Sequence, residues 1–206
     1  MSGPGRRLDR WLEALLSTPG LTAVRDPAEA RRVHVDAALA AAELVVAGPV
    51  VDVGSGGGSP GIPVAWAHPD VEVVLLEAQR RKCEFLRVVS REFPNAHVVC
   101  ARAEEHGRAE GREAYAVALA QALAPPPVAL EWCLPLVRTG GSAVLLAGEV
   151  DLDAAARAAA AVGGGEPELR RLAAPARGAL LVVPKVAETP SRFPRRPGAA
   201  RKRPLA

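Results

Sequence analysis

The segment Val50-Val51-Asp52-Val53-Gly54-Ser55-Gly56-Gly57-Gly58-Ser59-Pro60-Gly61 has the spacing in this chain that is best suited to chemistry. A short apolar run of strand character leads into alternate glycines at 54, 56 and 58. Pro60 then suits the first turn of a helix, where backbone donors lack partners. Glycine in such a loop lets a ligand touch the main chain. Glu77 ends the next strand-like run, at the place where an acidic side chain meets the ribose hydroxyls of an adenosyl ligand. Glycine-rich turns also occur without ligands, but the order strand, loop, helix, strand and terminal acid favours a nucleotide-type site.

Spacing alone leaves the ligand open. Ser59 stands where the dinucleotide fingerprint closes on a small residue, which keeps NAD in play, although the only tyrosine, Tyr115, is followed by no nearby lysine. Asp52 before the glycines favours a cationic ligand. S-adenosylmethionine combines an ammonium for Asp52, a carboxylate for helix-terminal donors and an adenosine for Glu77.

These residues need a scaffold, and the periodicity predicts one. Helical spacing covers 8–16 and 27–47. Strand-like runs follow at Val50–Val53, Glu72–Glu77, His97–Arg102, Tyr115–Ala120 and Ser142–Ala147, with helices over Arg80–Phe93 and Val128–Val137 between them. Such alternation means a parallel sheet with both faces covered. A helix over Leu152–Val162 leads to two runs, Glu168–Leu172 and Ala179–Pro184, whose connection is too short for a parallel crossover, so these pair antiparallel. Arg80, Arg81 and Lys82 read as a solvated helix start, although cations there oppose the helix dipole and so hint at a phosphate nearby.

The 206 residues, 49% hydrophobic and 24% charged, suffice for one substantial core. Charge is unevenly spread. Residues 189–206 hold six cations (Arg192, Arg195, Arg196, Arg201, Lys202, Arg203) and no carboxylate, so a net charge of +3 divides into about −3 for the body and +6 for the tail. That stretch, rich in proline and poor in large apolar residues, reads as a tail or a draped segment. Cys83, Cys100 and Cys133 lie far apart in apolar surroundings with no ligand spacing, and read as small buried hydrophobes in a reducing compartment. No metal site, signal-peptide core or membrane-length apolar run is visible, so a cytosolic location is expected.

The glycine loop together with its sequel resembles a known family. Lys82-Cys83-Glu84-Phe85-Leu86, Arg102-Ala103-Glu104-Glu105, Glu131-Trp132-Cys133-Leu134-Pro135-Leu136 and Thr189-Pro190-Ser191-Arg192-Phe193-Pro194-Arg195-Arg196 follow in order, and Leu21-Thr22 with Arg32-Val33-His34-Val35-Asp36 precede. The chain is similar in these motifs to the small-subunit ribosomal RNA guanine-N7 methyltransferases, the RsmG (GidB) family. The resemblance implies an α/β class I methyltransferase fold, a Rossmann-like sheet of about seven mostly parallel strands with the last antiparallel. It divides the chain into a methyltransferase domain over 1–188, with a helical cap over 1–47, and a basic tail over 189–206. It also implies S-adenosylmethionine as donor and 16S rRNA of the small ribosomal subunit as acceptor, with the chain acting as a monomer. Asp52, Gly54, Gly56, Gly58, Ser59, Glu77, Ala103, Glu104 and Gln121 would then bind the cofactor, and the six tail cations the RNA.

The chain departs from the pattern at several points. Ala116 and Gln121 stand where an Asp and an Arg are usual, Ala147 where a Lys is, and Ser59 where a Leu is. Two cations are therefore missing near one site. A weakened or inactive relative that binds donor and RNA is one alternative, and a small-molecule methyltransferase another. No general base is assigned, because N7 of neutral guanine already carries a free lone pair. His34 and Asp36, two residues apart on a helix, point about 200° apart and form no orienting pair. His34 reads as a packing or capping residue, and Phe193 as either an anchor for the tail or a stacking platform.

Overall fold

In the computed structural model of the chain, which describes residues 5–206, the apolar runs Val50–Val53 (β1) and Val73–Glu77 (β2) are buried along their whole length. Strands with no polar face need both sides of the sheet covered. They are: Val51, Val53 and Leu76 enter one core, while Val50, Val73 and Leu75 enter the other. Ala96–Cys100 (β3), Tyr115–Gln121 (β4), Val137–Ala147 (β5), Glu168–Arg171 (β6) and Ala179–Pro184 (β7) complete a seven-stranded sheet ordered β3-β2-β1-β4-β5-β7-β6. β1 to β5 pair in parallel, and β7 runs antiparallel to both β5 and β6, as the short connection requires. Because β1 lies between β2 and β4, the crossovers diverge there and open a crevice at the carboxyl ends of the strands.

The cap opens with Gly5–Ser17 (α1), whose Leu8, Trp11, Leu12 and Leu15 recur at helical spacing and are buried. Residues 1–4 of the expected cap lie outside the described residues. The single helix expected over 27–47 is instead Pro27–Arg31 (α2), a π turn over Arg32–Asp36, and Ala37–Ala42 (α3). Asp26 caps α2 by accepting from the Glu29 N–H at 2.7 Å. With Gly61–Ala67 (α4) and Arg80–Val89 (α5) the cap covers one face of the sheet. Ala103–His106 (α6), Pro126–Cys133 (α7) and Leu152–Ala161 (α8) cover the other. Pro135 lies in the turn that follows α7, and β5 begins at Val137 rather than Ser142.

One cysteine expectation is corrected. Cys83 and Cys100 are joined as a disulfide between the first turn of α5 and the end of β3, their Cα atoms 5.9 Å apart. The β2-to-β3 crossover brings them together, a proximity that sequence spacing does not show. Cys133 is free and buried, and burial raises its thiol pKa. Among the described residues no helix is long and apolar enough to cross a membrane, and no cluster of His, Cys, Asp and Glu could hold a metal ion.

The C-terminal segment is draped over the body and ends in a short helix, Ala199–Lys202 (α9). Thr189, Phe193 and Ala200 are buried, so Phe193 is an anchor. Lys185, 1% exposed, donates to Glu113 Oε1 at 2.9 Å, to the Leu134 carbonyl at 2.8 Å and to Thr189 Oγ1 at 2.5 Å. Arg112 donates to the Phe193 and Thr189 carbonyls, and Arg108 to that of Pro194. Stranding a buried charge costs about 3–5 kcal/mol. Glu113→Ala should therefore destabilise the fold by about that much, whereas Lys185→Met should cost less because Glu113 is open enough to be hydrated; urea unfolding of the two variants tests the order.

Candidate functional site

The chain leaves β1 through three residues of positive φ, Gly54 (+72°), Gly56 (+56°) and Gly58 (+102°), a region that side chains with a Cβ rarely enter. The turn is anchored at each step. Gly54 and Ser55 N–H groups both donate to the Leu76 carbonyl, at 2.8 and 3.1 Å. Gly56 N–H donates to Glu77 Oε2 at 2.9 Å, and Gln79 N–H to Glu77 Oε1 at 2.7 Å. Each Glu77 oxygen keeps a further lone pair for a hydroxyl donor.

Glu77 borders a cavity of about 450 Å³, shared with Val53, Gly54, Lys82, Ala103, Glu104, Leu123 and Trp132. This is the end suited to a nucleoside: an acid beside β2, and apolar walls where a base would lie. Glu104 Oε1 accepts from the Gly198 N–H at 3.0 Å, which fastens the C-terminal segment to the rim. Arg201 also lines the rim, its guanidinium 5.2 Å from the centre of the Trp132 ring.

Gly54, Lys82 and Ala122 also line a second cavity of about 340 Å³, with Ser55, Gly56, Gly57 and Ser59 of the loop on one side and Thr22, Val33 and His34 of the cap on the other. A Cβ on Gly56 would meet only the Gly54 carbonyl, at 3.8 Å, so this glycine offers bare backbone to the cavity. The cap is tied down here: Trp11 Nε1 donates to the Gly57 carbonyl at 2.9 Å, and His34 Nε2 lies 2.9 Å from Thr22 Oγ1. Gln121 and Ser59 hydrogen-bond to each other and to cap carbonyls.

Two predicted residues sit away from both cavities. Gly58 packs on the cap, where a Cβ would meet Ile62 and the Trp11 ring nitrogen. Asp52 is fully buried behind the loop and presents nothing to the cleft; its Oδ2 accepts from the Gly61 N–H at 3.0 Å, and Oδ1 has no partner. Burial pushes its pKa up to about 7. The helix-terminal donors expected to take a carboxylate are likewise consumed: Gly61 by Asp52, Ile62 by the Gly58 carbonyl and Val64 by that of Pro60, while Pro63 has none. Lys82, Leu123, Trp132 and Arg201 were not anticipated in the cleft. Only Lys82 carried a signal, as a cation opposing the dipole of its helix.

The tail cations divide. Arg192, Arg195, Arg196, Lys202 and Arg203 join Arg108 around a cavity of about 880 Å³ on the far side of the 195–203 turn, with Gly198 common to it and the nucleoside cavity. Arg195 is neutralised by the buried Glu131, which accepts from its Nε at 2.7 Å and its Nη2 at 2.5 Å. Among the described residues the other five make no ion pair.

Comparisons with known proteins point to one family and one fold. The family model described as rRNA small subunit methyltransferase G matches residues 7–166. A Rubrobacter xylanophilus protein named ribosomal RNA small subunit methyltransferase G is 42% identical over 79% of this chain and 67% of its own length. Proteins of the same name from Moorella thermoacetica and Chloroflexus aggregans are 38% and 39% identical, covering 90% and 97% of this chain and 82% and 89% of theirs. Among solved structures, a T. thermophilus 16S rRNA N2 methyltransferase in complex with AdoMet and guanosine superposes with a TM-score of 0.56 at 20% identity, over 84% of this chain and 42% of that one. A predicted O-methyltransferase from Agrobacterium tumefaciens gives 0.57 at 19% identity, over 71% and 78%. At such identities the likeness is one of fold: class I methyltransferase.

Asp52 generates a prediction about pH. Its folded pKa lies above the ordinary carboxylate value, so the folded state binds the proton more tightly and this group's contribution to stability falls as pH rises from about 4 to about 7. Asp52→Asn should remove that component. The difference in unfolding free energy between wild type and variant, measured across this window, should slope accordingly and level off above it.

Proposed function

The chain belongs to the ribosomal RNA small subunit methyltransferase G family, and from that membership we propose that it transfers a methyl group from S-adenosylmethionine to N7 of a guanine in 16S rRNA. The observation that carries this reading is the continuity of the cleft. Gly54, Lys82 and Ala122 line both cavities, so a ligand with a nucleoside at one end and an amino acid at the other spans the mouth of the sheet. Glu77 takes the ribose hydroxyls, Ala103 and Leu123 border the adenine, and Glu104 holds the rim. Gly54 and Gly56 present backbone to the methionine part, with Lys82 facing its carboxylate.

The bound donor supplies an electrophilic methyl group on a sulfonium. N7 needs no deprotonation, so the chain's task is to align the reacting atoms and exclude water, a contribution of roughly 7–11 kcal/mol. Charge at the acceptor end fits the chemistry. Methylation at N7 creates a cationic base, and apart from Lys82, which faces the donor carboxylate, the polar side chains around the glycine-loop cavity are neutral: Ser59 of the loop and, across from it, Thr22, Gln121 and a His34 whose pKa burial lowers. The family's missing arginine is thus no loss to the product.

N7 lies in the deep, narrow groove of A-form RNA, closed to side chains, so the guanine is presented from a loop, a distorted helix or a flipped position. Phosphates flanking it bind the cations around the 880 Å³ cavity. We take the chain to act as a monomer in the cytosol, where small subunits are made.

Incubation of the purified protein with radiolabelled donor and small subunits that lack the modification should place label in 16S rRNA at a guanine susceptible to aniline scission. Donor binding without label would make the chain a binding relative, and label only in small molecules would make it a small-molecule enzyme. Engagement of single-stranded RNA by Arg108, Arg192, Arg196, Lys202 and Arg203 should give a log-log salt slope of about −3.5, with Lys202→Ala lowering it by about 0.7. Arg201→Ala should instead weaken the donor.

Donor affinity offers a separate check by calorimetry. Gly56→Val should abolish binding, because a branched side chain occupies the cavity face. Glu77→Ala should weaken it by about 1.5–3 kcal/mol, the range for hydrogen bonds to a charged group.

A further inference from the structure

Gln121 ends β4 at the mouth of the sheet, and its amide is committed within the chain. Nε2 donates to the Val33 carbonyl at 3.0 Å, and Oε1 accepts from the Ser59 hydroxyl at 2.7 Å. The amide's orientation follows from its partners. A carbonyl only accepts, so the NH₂ faces Val33, the amide oxygen faces Ser59, and Ser59 must donate. The Ser59 hydroxyl also lies 3.0 Å from the His34 carbonyl, so its one proton is shared between two acceptors.

Two side chains thereby join three segments: the glycine loop, the end of β4 and the π turn over Arg32–Asp36. In that turn the Ala37 N–H reaches back five residues to the Arg32 carbonyl, and the carbonyls of Val33 and His34 accept the side-chain bonds. π turns recur at functional sites. The wall held in this way, Thr22, Val33 and His34, faces the glycine loop across the 340 Å³ cavity.

We propose that Ser59 and Gln121 are positioning residues for methyl transfer, setting the distance between cap and glycine loop and with it the approach of the acceptor guanine, without contacting the donor. The proposal rests on the reaction proposed above. A misplacement of about 1 Å between reacting groups costs on the order of 100-fold in rate, so the effect belongs to turnover rather than to donor affinity.

The test is a double-mutant cycle with Ser59→Ala and Gln121→Met, assayed on small ribosomal subunits and by donor calorimetry. Each single variant should lose at least tenfold in kcat, with donor Kd within twofold of wild type. The double variant should lose less than the product of the two single losses, because the Ser59–Gln121 bond is removed in each, and Ser59→Thr, which keeps the hydroxyl, should recover most of the activity. Donor affinity falling in step with kcat would overturn the proposal, as would additive losses or unchanged turnover. Amide exchange over residues 33–38 gives a readout independent of activity: it should quicken in both single variants, each of which frees one carbonyl of the turn, and unchanged protection would also overturn the proposal. If the wild type itself methylates no RNA, the proposed reaction fails, and the exchange experiment still decides whether these two residues hold the cap.

Discussion

A chain leaving a buried parallel strand loses its ladder partners while still surrounded by protein, and every backbone group at that point must find a new one. At β1 this requirement builds the site. Gly54 and Ser55 turn both their N–H groups onto the Leu76 carbonyl, Gly56 turns onto Glu77, and Gly61 is caught by Asp52 from beneath. With these bonds made, the loop is rigid and one surface remains bare, the backbone of Gly54 and Gly56 facing the crevice. Glu77 therefore has two tasks with one carboxylate: it closes the loop and keeps lone pairs for a ligand. Asp52 has only the first.

What was legible in the sequence was local and periodic. β1 and β7 fall on the predicted residues, β2 within one residue, and the terminal acid, alternate glycines and antiparallel final pair are where the pattern put them. What was not legible depends on which way a side chain points or on distant pairing. Strand alternation places Asp52 on the same face as Val50, towards α4, and so out of reach of a ligand above the loop; its identity suggested an ammonium partner and its parity did not. The helix N-terminus reads as an anion site until Asp52 and Gly58 are seen to consume its donors. The Cys83–Cys100 pairing and the meeting of Gln121 with Ser59 arise from crossovers that bring separate segments together.

The C-terminal segment shows what composition leaves open. Residues 189–206 have too few apolar side chains to bury themselves, and their prolines contribute carbonyls without N–H groups. The body supplies the missing donors: Arg112 serves the carbonyls of Thr189 and Phe193, Arg108 that of Pro194, and Lys185 the Thr189 hydroxyl. Phe193 adds one apolar anchor. A stretch whose composition leaves a tail and a draped segment both open is thus draped as a fixed turn. Gly198 on that turn borders both the cationic cavity and the cavity beside Glu77, so the same few residues shape the walls of both.

Fixing the cations matters because an arginine on a disordered tail and one on a folded turn bind phosphate differently. The mobile residue loses rotamer and backbone freedom on binding, about 1–2 kcal/mol per ordered backbone residue, and that loss offsets much of the gain from counterion release. Here the backbone is already ordered by contacts within the protein. The arrangement also separates charge by task. Arg195 neutralises Glu131, Arg201 covers Trp132 at the rim of the cavity beside Glu77, and Arg192, Arg196, Lys202 and Arg203 line the cationic cavity. Positive charge is thereby concentrated around one cavity, while the cavity beside the glycine loop has Lys82 as its single cationic lining side chain among the described residues.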